Sequence, residues 1–242
     1  MGGWRVPFFT LAALGALVIA AAMAALPPQR AHLLAQSAPF CEVLRRPVVR
    51  LGLATGAIGA MAHYMLVPNL SAYVQLNLCY PRDRLGLIYM IGGAFVFGTT
   101  RLAGWLADRH GASPVVLFDA TLYFAVLIVG FIYPVDAVPV IVVFVGLMIS
   151  SSFRFIPVQA LLPRIPAPGE RARFMSIQGA LESITAGSGA MMSAQILTEH
   201  PDRSPGGIDD VAWLAIALTC ASCALGRAIE HRIRVDVRPT GS

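Results

Sequence analysis

Gly104-Trp-Leu-Ala-Asp-Arg-His-Gly111, GWLADRHG, sets an acid, an arginine and a histidine directly behind LGLIYMIGGAFVFGTTRLA (85–103), a run whose single charge is Arg101. Such a knot reads as the point where an apolar helix leaves lipid and turns. The rest of the chain has the same character, with 57% of its 242 residues hydrophobic and 13% charged, a balance that predicts several membrane-length helices and not a water-soluble core. All 18 basic residues are arginines, standing in ones and twos between apolar runs. That scatter argues against a phosphate-binding surface and against a nucleic-acid partner.

A helix crossing the hydrocarbon layer takes roughly 20 mostly apolar residues, and seven such runs follow one another at 7–26, 50–72, 86–106, 114–133, 137–158, 174–197 and 210–228. Pro27-Pro28, Pro81, Ser113-Pro114, Pro134 with Asp136, PRIPAPGE and PDRSPGG punctuate them, all sequences that stop or start helices. No stretch alternates with period two, so a transmembrane barrel is excluded. The expected fold class is an all-α integral membrane protein of seven transmembrane helices, one helix plus a six-helix half-bundle of 3+3 inverted repeats. Residues 1–49 are expected to hold the first helix and a linker, and 50–242 the half-bundle.

Orientation follows from the arginines. With the N-terminus outside, one face receives fourteen of them, among them Arg45, Arg46, Arg50, Arg109, Arg171 and Arg227, and the other face only Arg5, Arg82, Arg84 and Arg203. The positive-inside bias makes the richer face cytoplasmic, so the C-terminus is expected inside the cell, in an inner-membrane protein. A cleavable signal peptide at residues 1–26 is the competing reading, with Ala22-Met-Ala24 as its cleavage site. It would place Arg45, Arg46 and Arg50 outside and reverse the bias in every loop.

GWLADRHG, ending a glycine-rich run ahead of a turn on the basic side, resembles the G-x-x-x-D-R-x-G loop motif of the major facilitator superfamily, here Gly104, Asp108, Arg109 and Gly111. Further stretches resemble that superfamily's bacterial drug and sugar efflux branch. GWR at 3–5 with Pro7 and Phe8 looks like the entry to its sixth helix; Arg154, Pro157 and Ala160 resemble the inner end of its tenth, and ERARFMSIQGALESITAG the start of its eleventh. Two departures stand out: Ala112 and Ser113 replace the usual closing basic residues, and the chain corresponds only to the sixth through twelfth helices. The resemblance therefore implies either a truncated product or a separate chain supplying an N-terminal half. It also implies that the second and fifth runs line the transport path and that the third and sixth form the seam with that half. In the superfamily the loop acid braces one transport state, which makes Asp108 a gate latch; the plainer reading is a solvated turn.

Several residues are singled out by the chemistry of charge in lipid. Arg101 and Asp119 lie at equal depth on either side of the turn, roughly 8–10 Å inside the membrane at 1.5 Å per residue, and are expected to form a structural ion pair, since an unpaired charge there costs about 3 kcal/mol. Glu182 lies on the order of 12 Å into the sixth run. A carboxyl that ionises only when its cavity is wet is what proton-coupled exchange needs, so Glu182 is the first proton-coupling candidate, against a purely interhelical hydrogen bonder. His63, which titrates near neutral pH, is the second, with the same alternative.

Small residues recur every four positions at Gly179, Ser183 and Gly187 and at Gly52, Gly56 and Ala60, giving flat faces for close helix contact. LVPNLSA and FIPVQAL set Pro68 with Asn69 and Pro157 with Gln159 in corresponding places, the pattern of an interrupted helix at a binding site in inverted repeats. Together with Arg154 and the rings of Tyr64, Tyr73 and Phe155 they are the substrate-path candidates, favouring an apolar solute. Cys220 and Cys223 share a helix face without a nearby His or Asp, so no metal site and no cofactor is expected, and no enzyme motif is present. The functional expectation is a secondary active transporter, or its C-terminal portion, exporting a small organic solute in exchange for protons. The alternative is a truncated or accessory membrane protein that associates with another chain and does not transport by itself.

Overall fold

The computed structural model describes residues 5–25, 45–135, 137–164, 170–201 and 204–236. Pro27-Pro28, Arg30, Cys41, Asp136, most of the PRIPAPGE loop, Arg203 and the last residues, with Arg238, lie outside the described residues. The chain divides into two compact units, 1–37 and 38–242. In the first, α1 (Val6–Ala25) is a single helix with one of the highest mean hydropathies of the candidate spans, 2.3 over Phe8–Ala25.

The second unit is an all-helical bundle. It contains α2 (Pro47–Tyr64), continued through a 3-10 turn at Val67–Asn69 into the short α3 (Leu70–Leu76), then α4 (Leu85–His110), α5 (Ala112–Leu127), α6 (Val140–Leu161), α7 (Arg171–Ile196) and α8 (Ile208–Asp236). A π-helical turn at Ile128–Ile132 prolongs α5. Thr198–Glu199 and Pro205–Gly206 pair as a two-residue antiparallel ribbon between α7 and α8, tied to the end of α3 by Asn77, whose Nδ2 donates to the Pro205 carbonyl at 3.1 Å.

Among the described residues six helical segments are long and apolar enough to cross a membrane, α1 among them. The exception is α7. At 26 residues it has the length, but Gln178, Glu182, Ser183, Thr185, Ser188 and Ser193 lower its hydropathy below that of the other spans. The sixth of the seven expected runs is thus a full-length helix of a different kind, one that lipid alone does not solvate well.

Packing follows a regular plan. α2 lies against α7 and α8, α6 lies against α4 and α5, and α5 meets α8 between the two groups. Exchanging α2 with α6, α4 with α7 and α5 with α8 leaves this pattern unchanged. Elements three spans apart run in opposite directions, so the bundle has the arrangement of two inverted three-helix repeats.

The main core gathers Met65, Leu70, Tyr123, Leu127, Phe144 and Leu147 with Val211 and Ala215 from α8. Between α5 and α6 the fit is reciprocal: a side chain on Gly130 would overlap Val143, and a Cβ on Gly146 would lie 2.8 Å from Val126 Cγ2. Each helix offers a glycine hole to the other's valine. α4 by contrast turns Met90, Phe97 and Trp105 outward, 65%, 72% and 52% exposed.

Candidate functional site

Two polar clusters occupy the bundle. The first is built on Arg154, in the middle of α6, 5% exposed. Its Nε donates to Asp119 Oδ2 at 2.9 Å and its Nη1 to Thr219 Oγ1 at 3.2 Å. Ser150, one helical turn before Arg154, donates to the other carboxylate oxygen, Oδ1. The guanidinium lies 4.0 Å from the centre of the Tyr123 ring, close enough for a cation–π contribution in a dry site. Tyr123 then reaches α2, its hydroxyl donating to the Ala62 carbonyl at 3.1 Å. One cation therefore ties α5, α6 and α8 together, and its aromatic neighbour adds α2.

This corrects the expected ion pair. Asp119 pairs with Arg154, and Arg101 is exposed with its guanidinium 5.8 Å from the centre of the Phe97 ring. The azimuth is what differs: α4 turns Ala103 into the core against Val115 and Phe153, and Arg101, two residues away, falls on the opposite face. Asp119 shares the face of Val115, one turn before it, and looks inward. Arg154 is engaged by Asp119 and Thr219 through Nε and Nη1, while its Nη2 is buried without a hydrogen-bond partner among the described residues.

The second cluster is on α7. Glu182 is half-buried and its Oε1 accepts from Gln178 Nε2 at 3.0 Å. The same oxygen lies 3.6 Å from where a Cβ on Gly56 would stand, so α2 leaves a notch for the carboxyl. Gln178 Nε2 also approaches Gln159 Oε1 on α6, at 3.4 Å. Toward the other end of α7, Asn69 donates from Nδ2 to Ser193 Oγ at 2.6 Å. The two amides singled out beside prolines thus both meet the polar helix, one from α2–α3 and one from α6. Their prolines behave differently, because Pro68 breaks its helix into the 3-10 turn whereas Pro157 is carried inside α6.

Glu182 and the Asp119–Arg154 pair line one small cavity, together with Thr55, Thr219 and Ser222. His63, 6% exposed, lies edge-on to Phe155 and Tyr64 at 5.3 and 5.5 Å between ring centres. Tyr64 is 39% exposed. Tyr73 belongs to the core, stacked on Phe131 and donating to the Gly130 carbonyl at 2.6 Å, so it is no path residue.

In GWLADRHG the turn is a single residue. Gly111 closes α4 and opens α5 at φ 90°, and its N–H bonds the Ala107 carbonyl at 3.0 Å. That backbone conformation explains the second glycine of the motif. Gly104 is not at the bend; it lies within α4, with Ile156 of α6 3.8 Å from where its Cβ would be. Asp108 is exposed in the last turn of α4, and the cap position of α5 is Gly111, without a side chain to cap it. Arg109 stacks over Trp105 at 5.3 Å.

The small-residue stripes divide. Gly56 packs against α7 and Gly59 approaches Ser222 on α8, and on α7 the close approach to α2 is made at Gly189, where a Cβ would stand 2.7 Å from the Met61 carbonyl oxygen. Gly179, Ser183 and Gly187 are exposed, and nothing stands within 4 Å of a Cβ at either glycine. Sequence reasoning also missed Arg46–Glu170, a two-pronged ion pair at 3.1 and 3.3 Å that joins the starts of α2 and α7. Its signal was present in two opposite charges, each just ahead of a helix.

The family model of the Major Facilitator Superfamily matches residues 1–199. The chain belongs to that superfamily. No curated protein and no solved structure matches it. Superfamily membership makes this a multi-pass membrane transporter, a class of proteins that moves solutes and is not enzymatic. Among the described residues no three His, Cys, Asp or Glu side chains are grouped to hold a metal ion.

Proposed function

We propose that the chain is the C-terminal portion of a major facilitator transporter of the bacterial efflux type, exporting a small apolar organic solute in exchange for protons, with its C-terminus in the cytoplasm. The observation that carries the reading is α7: a full-length helix stitched to α2 and α6 by amides, with Glu182 notched against Gly56, and with its Gly179–Ser183–Gly187 face open. A helix of this polarity needs a protein or water neighbour on that face. In this reading the neighbour is a complementary set of helices, and the cavity between the halves carries the solute past Tyr64 and Phe155. Glu182 takes up a proton from one side and gives it to the other, and His63 stays behind its two aromatic neighbours.

The test uses the protein reconstituted with its complementary helices in liposomes of acid interior holding a pH-sensitive dye. Addition of an apolar solute should collapse the gradient, and Glu182→Gln should abolish the collapse. Undiminished flux in that variant removes Glu182 from the mechanism. The open small-residue face also favours a second reading, an accessory subunit that binds another membrane chain and does not transport. Copurification of a membrane partner whose own transport persists without this chain would select it.

A further inference from the structure

Beside the cavity that touches Asp119, Arg154 and Glu182, of about 20 Å³, lies another of about 30 Å³ that opens among Ala112, Ser113 and Arg227 at the Gly111 end of the bundle. The two share Thr55, Val116, Val158, Ser222 and Cys223, so they adjoin along α2, α5, α6 and α8. Each exceeds the roughly 10–15 Å³ that one water centre requires, and neither has room for an organic solute. We propose that they form one water-filled access column from the Gly111 end to the Asp119–Arg154 pair and Glu182.

Polar groups gather in the inner cavity, where Asp119, Arg154, Glu182 and Thr219 line it, while the outer one is walled mainly by Val116, Leu117, Val158 and Leu162, with Thr55 and Ser222 shared by both. Thr55 Oγ1 donates to the Leu51 carbonyl at 2.8 Å and Ser222 Oγ to the Thr55 carbonyl at 3.1 Å, so each hydroxyl oxygen keeps lone pairs that accept from water. Thr219, which receives Arg154, stands at the deep end. Gly56, Gly59 and Gly226 put no side chain into the space, and a Cβ on Gly226 would meet only Thr55 Cγ2, at 3.8 Å. The charged and titratable groups facing Asp119 along this route are Arg154 from α6, Glu182 from α7, Cys223 and Arg227 from α8 and Tyr123 on its own helix, with His63 of α2 beyond Arg154. Water there screens an ion pair that dry hydrocarbon would penalise and offers both carboxyls a proton donor. This path runs among α2, α5, α6 and α8 and meets the proposed solute and proton route at Phe155 and Glu182, which line its inner cavity; its existence does not depend on the transport reading.

Cys223 lines both cavities and serves as the reporter. In protein with Cys41, Cys79 and Cys220 changed to Ser, held in detergent micelles so that both ends are open, silver ion in chloride-free buffer is a thiol probe of nearly the size of water. Silver should block Cys223 from later maleimide labelling of the denatured chain. Gly226→Leu, which fills the column, and Ala112→Leu, at its mouth on the first residue of α5, should each slow the block about tenfold, because access governs thiol reactivity. A Cys223 that silver does not block, or one whose rate neither plug changes, would overturn the column. Should Gly226→Leu fail to fold, Ala112→Leu decides.

Discussion

Asp119 and Arg154 hold each other inside a bundle where either alone would be a bare charge. Breaking a buried pair by removing one partner costs about 3–5 kcal/mol, while replacing both by apolar groups is often neutral. Asp119→Ala is therefore expected to lower the unfolding temperature in micelles strongly, and Asp119→Leu combined with Arg154→Leu to recover most of the loss. A double variant as unstable as the single would mean that Arg154 is held mainly by Tyr123 and Thr219. The same scale shows what sequence can and cannot give. The need for a partner at Asp119 was legible, because hydrocarbon makes it obligatory, but equal depth on a hairpin does not fix which way a side chain points. The missing signal was rotational: Ser150 and Arg154 fall one turn apart on α6, so both can address a single carboxylate.

Among the elements, α7 departs furthest from a lipid-facing helix. Its length was readable from the apolar run, and its hydroxyls and amides were visible one by one; their common consequence, a helix too polar for lipid on all sides, emerges only when the neighbours are known. α2 covers one flank, meeting α7 backbone to side at Gly189. Gly189→Val should push the two helices apart, costing about 1–3 kcal/mol by overpacking, whereas Gly187→Val on the open face should leave the isolated chain's thermal stability unchanged within about 0.5 kcal/mol. Equal effects at the two positions would mean that the open face is covered by something other than lipid in the isolated chain. The turn after α4 was read well for Gly111 and poorly for Gly104, since a sequence motif marks both glycines alike although one supplies a backbone conformation and the other a contact with Ile156.

For the molecule as a whole, the expected all-helical bundle is recovered, with a packing plan in which two groups of three helices are interchangeable. The physical reason it was legible is that each span announces itself by length and apolarity, and short connections leave few arrangements. Orientation rests on the arginine count. A reporter active only in the cytoplasm, fused after Ser242, should be active, and one active only outside should be silent; the converse result would invert the layout and with it the direction assigned to transport.

The reciprocal valine–glycine fit between α5 and α6 sets a mechanical limit on any such transport. Each helix is keyed into the other at two heights, Gly130 with Val143 and Gly146 with Val126, and a twist or slide that frees one key jams the other. The pair must swing as a single splint, carrying the Asp119–Arg154 clasp with it undisturbed. Whatever bending a working cycle demands falls elsewhere, to the 3-10 break at Val67–Asn69 and to the amide stitches along α7, which can part and re-form without forcing a core side chain through its neighbour.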